Sequence, residues 1–134
     1  MRAPTADDLA GVPLLAGLDE TTRAAVAAAL EVEEHVPGHV VVSEGRAGYA
    51  FYLVADGKLA VTVDGREVRD LGPGDFFGEI AIIGDGGRRT ATVTAVTPVI
   101  VWVLFGTRFR ALQLEAPDVA AALESEMRYR LESG

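Results

Sequence analysis

Apolar positions recur along this chain at two spacings, helical at both ends and alternating in the middle. Between Thr5 and about Glu34 the spacing is helical. Thr5 followed three residues later by Asp8 marks the start of a short helix. Gly11-Val12-Pro13 breaks it, and Asp19 caps a second, "ETTRAAVAAALEVEE". That stretch is alanine-rich and sets Val26 and Leu30 on one face. From about His35 to Phe105 the pattern changes to short β-branched or aromatic runs ended by glycines: "HVVVSEG", "YAFYLVADG", "KLAVTVDG" and "REVRDLGPG". Asp56-Gly57 and Asp64-Gly65 read as hairpin turns. "TATVTAV" and "VIVWVLF", joined at Thr97-Pro98, complete the strands. Helical spacing returns from 107 to about 132. "TRFRALQLEA" forms one helix, and Pro117 and Asp118 open another. On that helix Val119, Leu123 (or Ala122), Met127 and Leu131 make one apolar stripe, read as core or partner contact. Helices, strands and helices follow without a linker, which predicts one α+β domain over residues 1–134.

Composition narrows the function classes. The chain has 134 residues, 20 acidic and 12 basic, for a net charge of −8. Clustered positive charge is what nucleic acid and anionic membranes select, so no direct nucleic-acid contact is expected. No apolar run approaches the ~20 residues of a membrane span, so no membrane insertion is expected. There is no cysteine, hence no disulfide and no thiolate zinc site. The N-terminus has no secretory pattern, and a cytoplasmic location is expected. Two histidines, His35 and His39, flank Pro37-Gly38. With Glu44 they would make three metal ligands, but they read as surface residues, and no metal or cofactor is expected. Asp75 and Glu79 could form an acid/base pair. A turn-capping role for Asp75, after Gly72-Pro73-Gly74, is the preferred reading. No catalytic constellation stands out, so an enzyme is not expected. Trp102 reads as packing, and Phe76 and Phe77 as core and pocket wall.

One stretch does carry chemistry: "GEIAIIGDGGRRTATVTA", Gly78 to Ala95. A helical turn in "FFGEIAII" would point its N–H groups, near Gly78 to Ala81, at an anion. Gly84-Asp85-Gly86-Gly87 lets the backbone bend close, and Arg88 or Arg89 closes the site with a guanidinium fork for phosphate. Thr90 adds a hydroxyl, and the Thr90 and Ala91 N–H groups add donors. Ionised Glu79 only accepts hydrogen bonds, and beside a phosphate a ribose 2′-OH suits it. One arginine without metal ligands matches a phosphate of low charge, such as a cyclic phosphodiester. The alternative is a structural ion pair between Glu79 and Arg89.

The stretch Phe77-Gly78-Glu79-Ile80-Ala81-Ile82 … Arg89-Thr90-Ala91-Thr92-Val93-Thr94-Ala95 resembles the phosphate-binding cassette of the cyclic-nucleotide-binding domain family, of the catabolite activator protein and protein kinase A regulatory subunit type. "VPLLAGLDETTRAAVAAAL", "VPGHVVVSEGRAGYAFYLVADGKLAVTVDG" and "LGPGDFFGE" resemble the family's segments before the cassette. The likeness covers about residues 12 to 131. It implies an eight-stranded antiparallel jelly-roll β barrel flanked by N-terminal and C-terminal helices. It gives Glu79 the ribose 2′-OH and Arg89 the cyclic phosphate, with Arg88 as the alternative phosphate ligand. Gly78, Ile80, Ala81, Thr90 and Ala91 would line the pocket. The helix from Pro117 would be the lid, with Tyr129 or Arg130 at the base. The implied function is a cyclic-nucleotide sensor, cAMP rather than cGMP, coupled to rearrangement of the C-terminal helices. A homodimer or an effector domain would meet those helices, whether the chain stands alone or belongs to a longer protein. The competing reading is an interaction or dimerisation module that keeps the fold without the ligand.

Overall fold

A computed structural model describes residues 3–45, 50–78 and 91–133, the last four as helical backbone. Helix α1 (Ala6–Ala10) opens with a reciprocal cap: Thr5 Oγ1 accepts from the Asp8 N–H at 3.3 Å, and Asp8 Oδ2 accepts from the Thr5 N–H at 2.8 Å. Helix α2 (Glu20–Ala29) is capped by Asp19, whose Oδ1 accepts from the Thr22 N–H at 2.7 Å. The Arg23 guanidinium donates to the carbonyls of Ala16 and Leu18, tying the α1–α2 connection to α2.

The Thr22 backbone bond holds the Asp19 carboxyl below its ordinary value of 3.8. A lowered folded-state value means that this cap stabilises the fold above about pH 4 and stops doing so as pH falls through the folded value. Asp19→Ala should therefore lower the melting temperature at pH 7 by more than at pH 2.5, whereas Asp19→Asn, which still caps, should keep most of the midpoint at pH 7. Thermal melts of the three proteins at the two pH values check this; equal losses at both would contradict it.

Helix α2 does not run on to about Glu34. It stops at Ala29, Leu30 is extended (φ −90°, ψ 144°), and Glu31–His35 forms strand β1. The reason is non-local. Every residue of β1 pairs with β8 (Val99–Phe105), from Glu31 opposite Val103 to His35 opposite Val99. That ladder overrides the helical preference of the glutamates.

Eight strands among the described residues form two antiparallel four-stranded sheets. The first has the order β1-β8-β3-β6, with β3 Ala50–Asp56 and β6 Phe76–Phe77. The second has the order β2-β7-β4-β5: Val40–Val42, Thr92–Ala95, Leu59–Val63 and Arg66–Leu71. Between the sheets lies a core of Tyr52, Val54, Leu59, Val61, Leu71, Phe77, Val93, Val101 and Val103. The alternate residues of the first sheet, Phe51, Leu53 and Leu104, point the other way, into a helical layer holding Leu9, Leu15, Val26, Phe109, Leu123 and Met127. Burial on both faces explains why β3 is a continuous apolar run. The second sheet has one covered face, and β7 alternates accordingly.

The two Asp-Gly turns behave differently. Asp64 (φ 52°) and Gly65 (φ 78°) join β4 to its neighbour β5, as a two-residue hairpin requires. Asp56-Gly57 is not a hairpin: β3 and β4 lie in different sheets, and the turn is a corner between them. Glycine is required there twice over. Its φ is +92°, and a Cβ would stand 2.3 Å from the Pro98 carbonyl oxygen.

Helices α3 (Gly106–Glu115) and α4 (Pro117–Ser133) meet at Ala116. On α4, Ala120, Leu123 and Met127 are buried and Val119 packs beside them, against α2 and α3. The described part of the stripe expected on this helix thus packs within the chain; the Leu131 side chain lies outside the described residues. Trp102, half-buried, packs on the same helical layer.

Candidate functional site

The structure describes the frame of the cassette on both sides. Its approach is the turn after Leu71, where the Gly72 N–H donates to Asp75 Oδ2 at 2.8 Å and the Asp75 N–H donates to the Gly72 carbonyl at 3.0 Å. Asp75 thus closes a turn, as its place after Gly-Pro-Gly predicts. Two backbone bonds, from Gly74 N–H to the Val54 carbonyl and from Val54 N–H to the Asp75 carbonyl, each 2.9 Å, fasten the turn to β3.

Strand β6 follows at once. Phe76 and Phe77 pair with Leu53 and Tyr52, and their rings part company. Phe77 stacks on Tyr52 (centroids 4.7 Å apart, 7° between planes) inside the inter-sheet core. Phe76 tilts against Phe51 on the helical side. Both are packing residues within the described contacts. Gly78, half-buried with φ +81°, ends the described approach.

The exit is Ala91, half-buried against the inter-sheet core, followed by Thr92 at the start of β7. Gly78 therefore leaves the edge of the first sheet and Ala91 enters the second. Residues 79–90 must connect one sheet to the other. Glu79, Ile80, Ala81, Arg88, Arg89 and Thr90 all lie outside the described residues. Of the expected base contacts, Tyr129 is exposed on α4, and the Arg130 side chain is outside the described set.

The other polar candidates are occupied with one another. His35 and His39 stack, with ring centroids 4.9 Å apart and planes at 20°. His35 Nε2 stands 3.1 Å from Glu33 Oε1. Glu44, the third residue weighed with the histidines, instead accepts the Asp64 N–H through Oε1 at 3.0 Å. Its own N–H donates to Thr92 Oγ1 at 3.0 Å. The sequence reading missed this last link, and nothing local signals a bond between residues so far apart in the chain. Among the described residues no group of three or more His, Asp or Glu side chains is placed to hold a metal ion, and no helix is long and apolar enough to cross a membrane.

A family model for the cyclic nucleotide-binding domain matches residues 32–115, which includes the cassette and both of its sheet anchors. The chain belongs to that family. It is a family of ligand-binding regulatory domains. The cAMP-dependent protein kinase regulatory subunit of Colletotrichum orbiculare is 40% identical over 108 residues, covering 79% of this chain and 27% of that protein. The cGMP-dependent protein kinase of Toxoplasma gondii is 41% identical over 87 residues, covering 65% of this chain and 9% of that protein. The regulatory domain of Toxoplasma gondii PKA, solved with cAMP, superposes with a TM-score of 0.79 at 28% identity, covering 96% of this chain and 49% of that one. The chain spans about a quarter of the length of the kinase regulatory subunits it matches. Its antiparallel sheets and flanking helices are those of this cyclic-nucleotide-binding architecture.

Proposed function

We propose that this chain is a sensor domain that binds a cyclic nucleotide, cAMP in preference to cGMP, and passes the binding event to its C-terminal helices. The family match across both sheet anchors of the cassette carries the proposal. In this reading Glu79 accepts the ribose 2′-OH and Arg89 neutralises the cyclic phosphate, with Arg88 as the alternative. Gly78, Ile80, Ala81, Thr90 and Ala91 line the pocket, and Tyr129 or Arg130 meets the base. Gly78 and Ala91, half-buried on opposite sheets, support a pocket wall whose two ends are held by different parts of the core. The two sheets are read as a jelly-roll barrel, the chain as one cytoplasmic domain without enzyme activity, and the C-terminal helices as its contact with a kinase or other effector, or with a second copy.

Coupling follows from packing. Helix α4 is docked through Leu123 and Met127, so a ligand that moves it must bind the moved state more tightly than the docked one. A micromolar affinity, about −8 kcal/mol, is ample for signalling.

The test is calorimetric titration of nucleotide-free protein with cAMP and, separately, cGMP. Saturable one-to-one binding, tighter for cAMP, is the expected result. Tighter cGMP binding would reverse the purine assignment. No heat and no thermal shift up to millimolar nucleotide would reject the sensor.

A further inference from the structure

Glu44 stands at the junction of three segments: the end of β2, the start of β7 and the β4–β5 hairpin. Strand β2 is three residues long, and its ladder to β7 is irregular: Val40 faces Thr94, but Val42 faces Val93. Pairing of β2 with β7 ends there, at Val93, two residues from the cassette exit at Ala91. The next tie is made by a side chain, where the Glu44 N–H donates to Thr92 Oγ1 at 3.0 Å. Thr92 also faces Thr62 on β4. The hairpin that continues β4 turns at Asp64, whose N–H donates to Glu44 Oε1 at 3.0 Å. The circuit is closed: Glu44 to Thr92, Thr92 across the ladder to β4, and the tip of that hairpin back to Glu44.

We infer that Glu44 and Thr92 form a positioning pair that holds the exit of the phosphate cassette and so sets its affinity for a cyclic phosphate. This rests on the function proposed above. Ala91, the last residue assigned to the pocket, is bonded directly to Thr92, so any drift of Thr92 moves the Ala91 N–H. A binding group works only as well as the shell that fixes it. A short edge strand with an interrupted ladder is a weak shell, and the hydroxyl contact extends it beyond the last backbone pair. The Glu44 carboxylate in turn fixes its own backbone by anchoring to Asp64, a residue already constrained at φ +52°. Neither residue needs to touch the nucleotide.

Calorimetric titration with cAMP and with cGMP tests the pair in wild type, Thr92→Val, Glu44→Ala, Glu44→Gln and the Thr92→Val/Glu44→Ala double variant. Thr92→Val removes the acceptor at nearly constant shape. It should weaken binding about five- to tenfold, the scale of one lost hydrogen bond, and Glu44→Ala should do the same. The double variant should lose little more than either single one, because the two act on one link. Glu44→Gln keeps an oxygen that accepts from Asp64 and should restore affinity to within about twofold of wild type. Melting of the unliganded proteins is followed in parallel. A lowered midpoint with unchanged affinity would mark a merely structural role and overturn the inference. So would additive losses in the double variant. If wild type binds and no variant differs, the inference falls while the sensor stands; if wild type binds neither nucleotide, both fall.

Discussion

Arg89→Ala should weaken cyclic-nucleotide binding at least about thirtyfold, without lowering the melting temperature of the unliganded protein. The magnitude follows from the kind of contact. Removing one partner of a desolvated charge pair costs about 2–5 kcal/mol, much of it because the other charge, here the phosphate, is left without its counterpart. In a chain with net charge −8 the background field repels an anionic ligand, so a local guanidinium matters more than it would in a basic protein. Arg89→Lys should recover part of the loss, since an ammonium supplies charge but not the two-pronged geometry. Arg88→Ala should be close to wild type. Titration of the three variants decides the register. A large loss in Arg88→Ala with none in Arg89→Ala would transfer the phosphate to Arg88. If neither loses affinity, the site lies elsewhere.

Met127→Ala is expected to have a comparable effect on stability. The side chain is fully buried in the helical layer with Leu123, Val26 and Leu15. Truncating a buried methionine costs about 2–5 kcal/mol through lost transfer energy and the cavity left behind. Met127→Leu, which nearly conserves volume, should cost less than about 1.5 kcal/mol. Urea denaturation of the two variants measures the difference directly. A negligible loss in Met127→Ala would mean that α4 is not docked in solution as described. Because ligand and fold are linked, a nucleotide at a hundred times its dissociation constant should return about 2.7 kcal/mol to either variant, provided that its affinity is unchanged.

The parts of this protein that were legible in its sequence are those determined within a few residues. Thr5 with Asp8, Asp19 with Thr22, and Asp75 with Gly72 are each closed by partners three positions apart. Asp64-Gly65 specifies its hairpin through the φ values of two adjacent residues. The apolar stripe of α4 follows from helical spacing. The family was legible in a different way: the stretch from Phe77 to Ala95 and the segments before it resemble the cyclic-nucleotide-binding domain, and the family match over residues 32–115 shows that membership.

Other features required the assembled molecule. Asp56-Gly57 has the same residues as the hairpin at 64–65, yet it turns a corner, where Pro98 and Val99, from the connection into β8, lie against it. Glu31–His35 has no strand pattern of its own and becomes one by pairing with β8. The apolar stripe of α4 looks the same in sequence whether a partner or the chain itself covers it; α2 and α3 decide in favour of the chain. The link from Glu44 to Thr92 joins residues 48 positions apart. By itself, then, the sequence determined the caps, the tight turn, the helical stripe and the family, since the first three depend on local geometry and the last on which residues stand in which order. The tertiary structure decided the strand order, the corner at Gly57, the docking of α4 and the link between Glu44 and Thr92. Each of those depends on the free energy of contacts between distant segments, which no local pattern records.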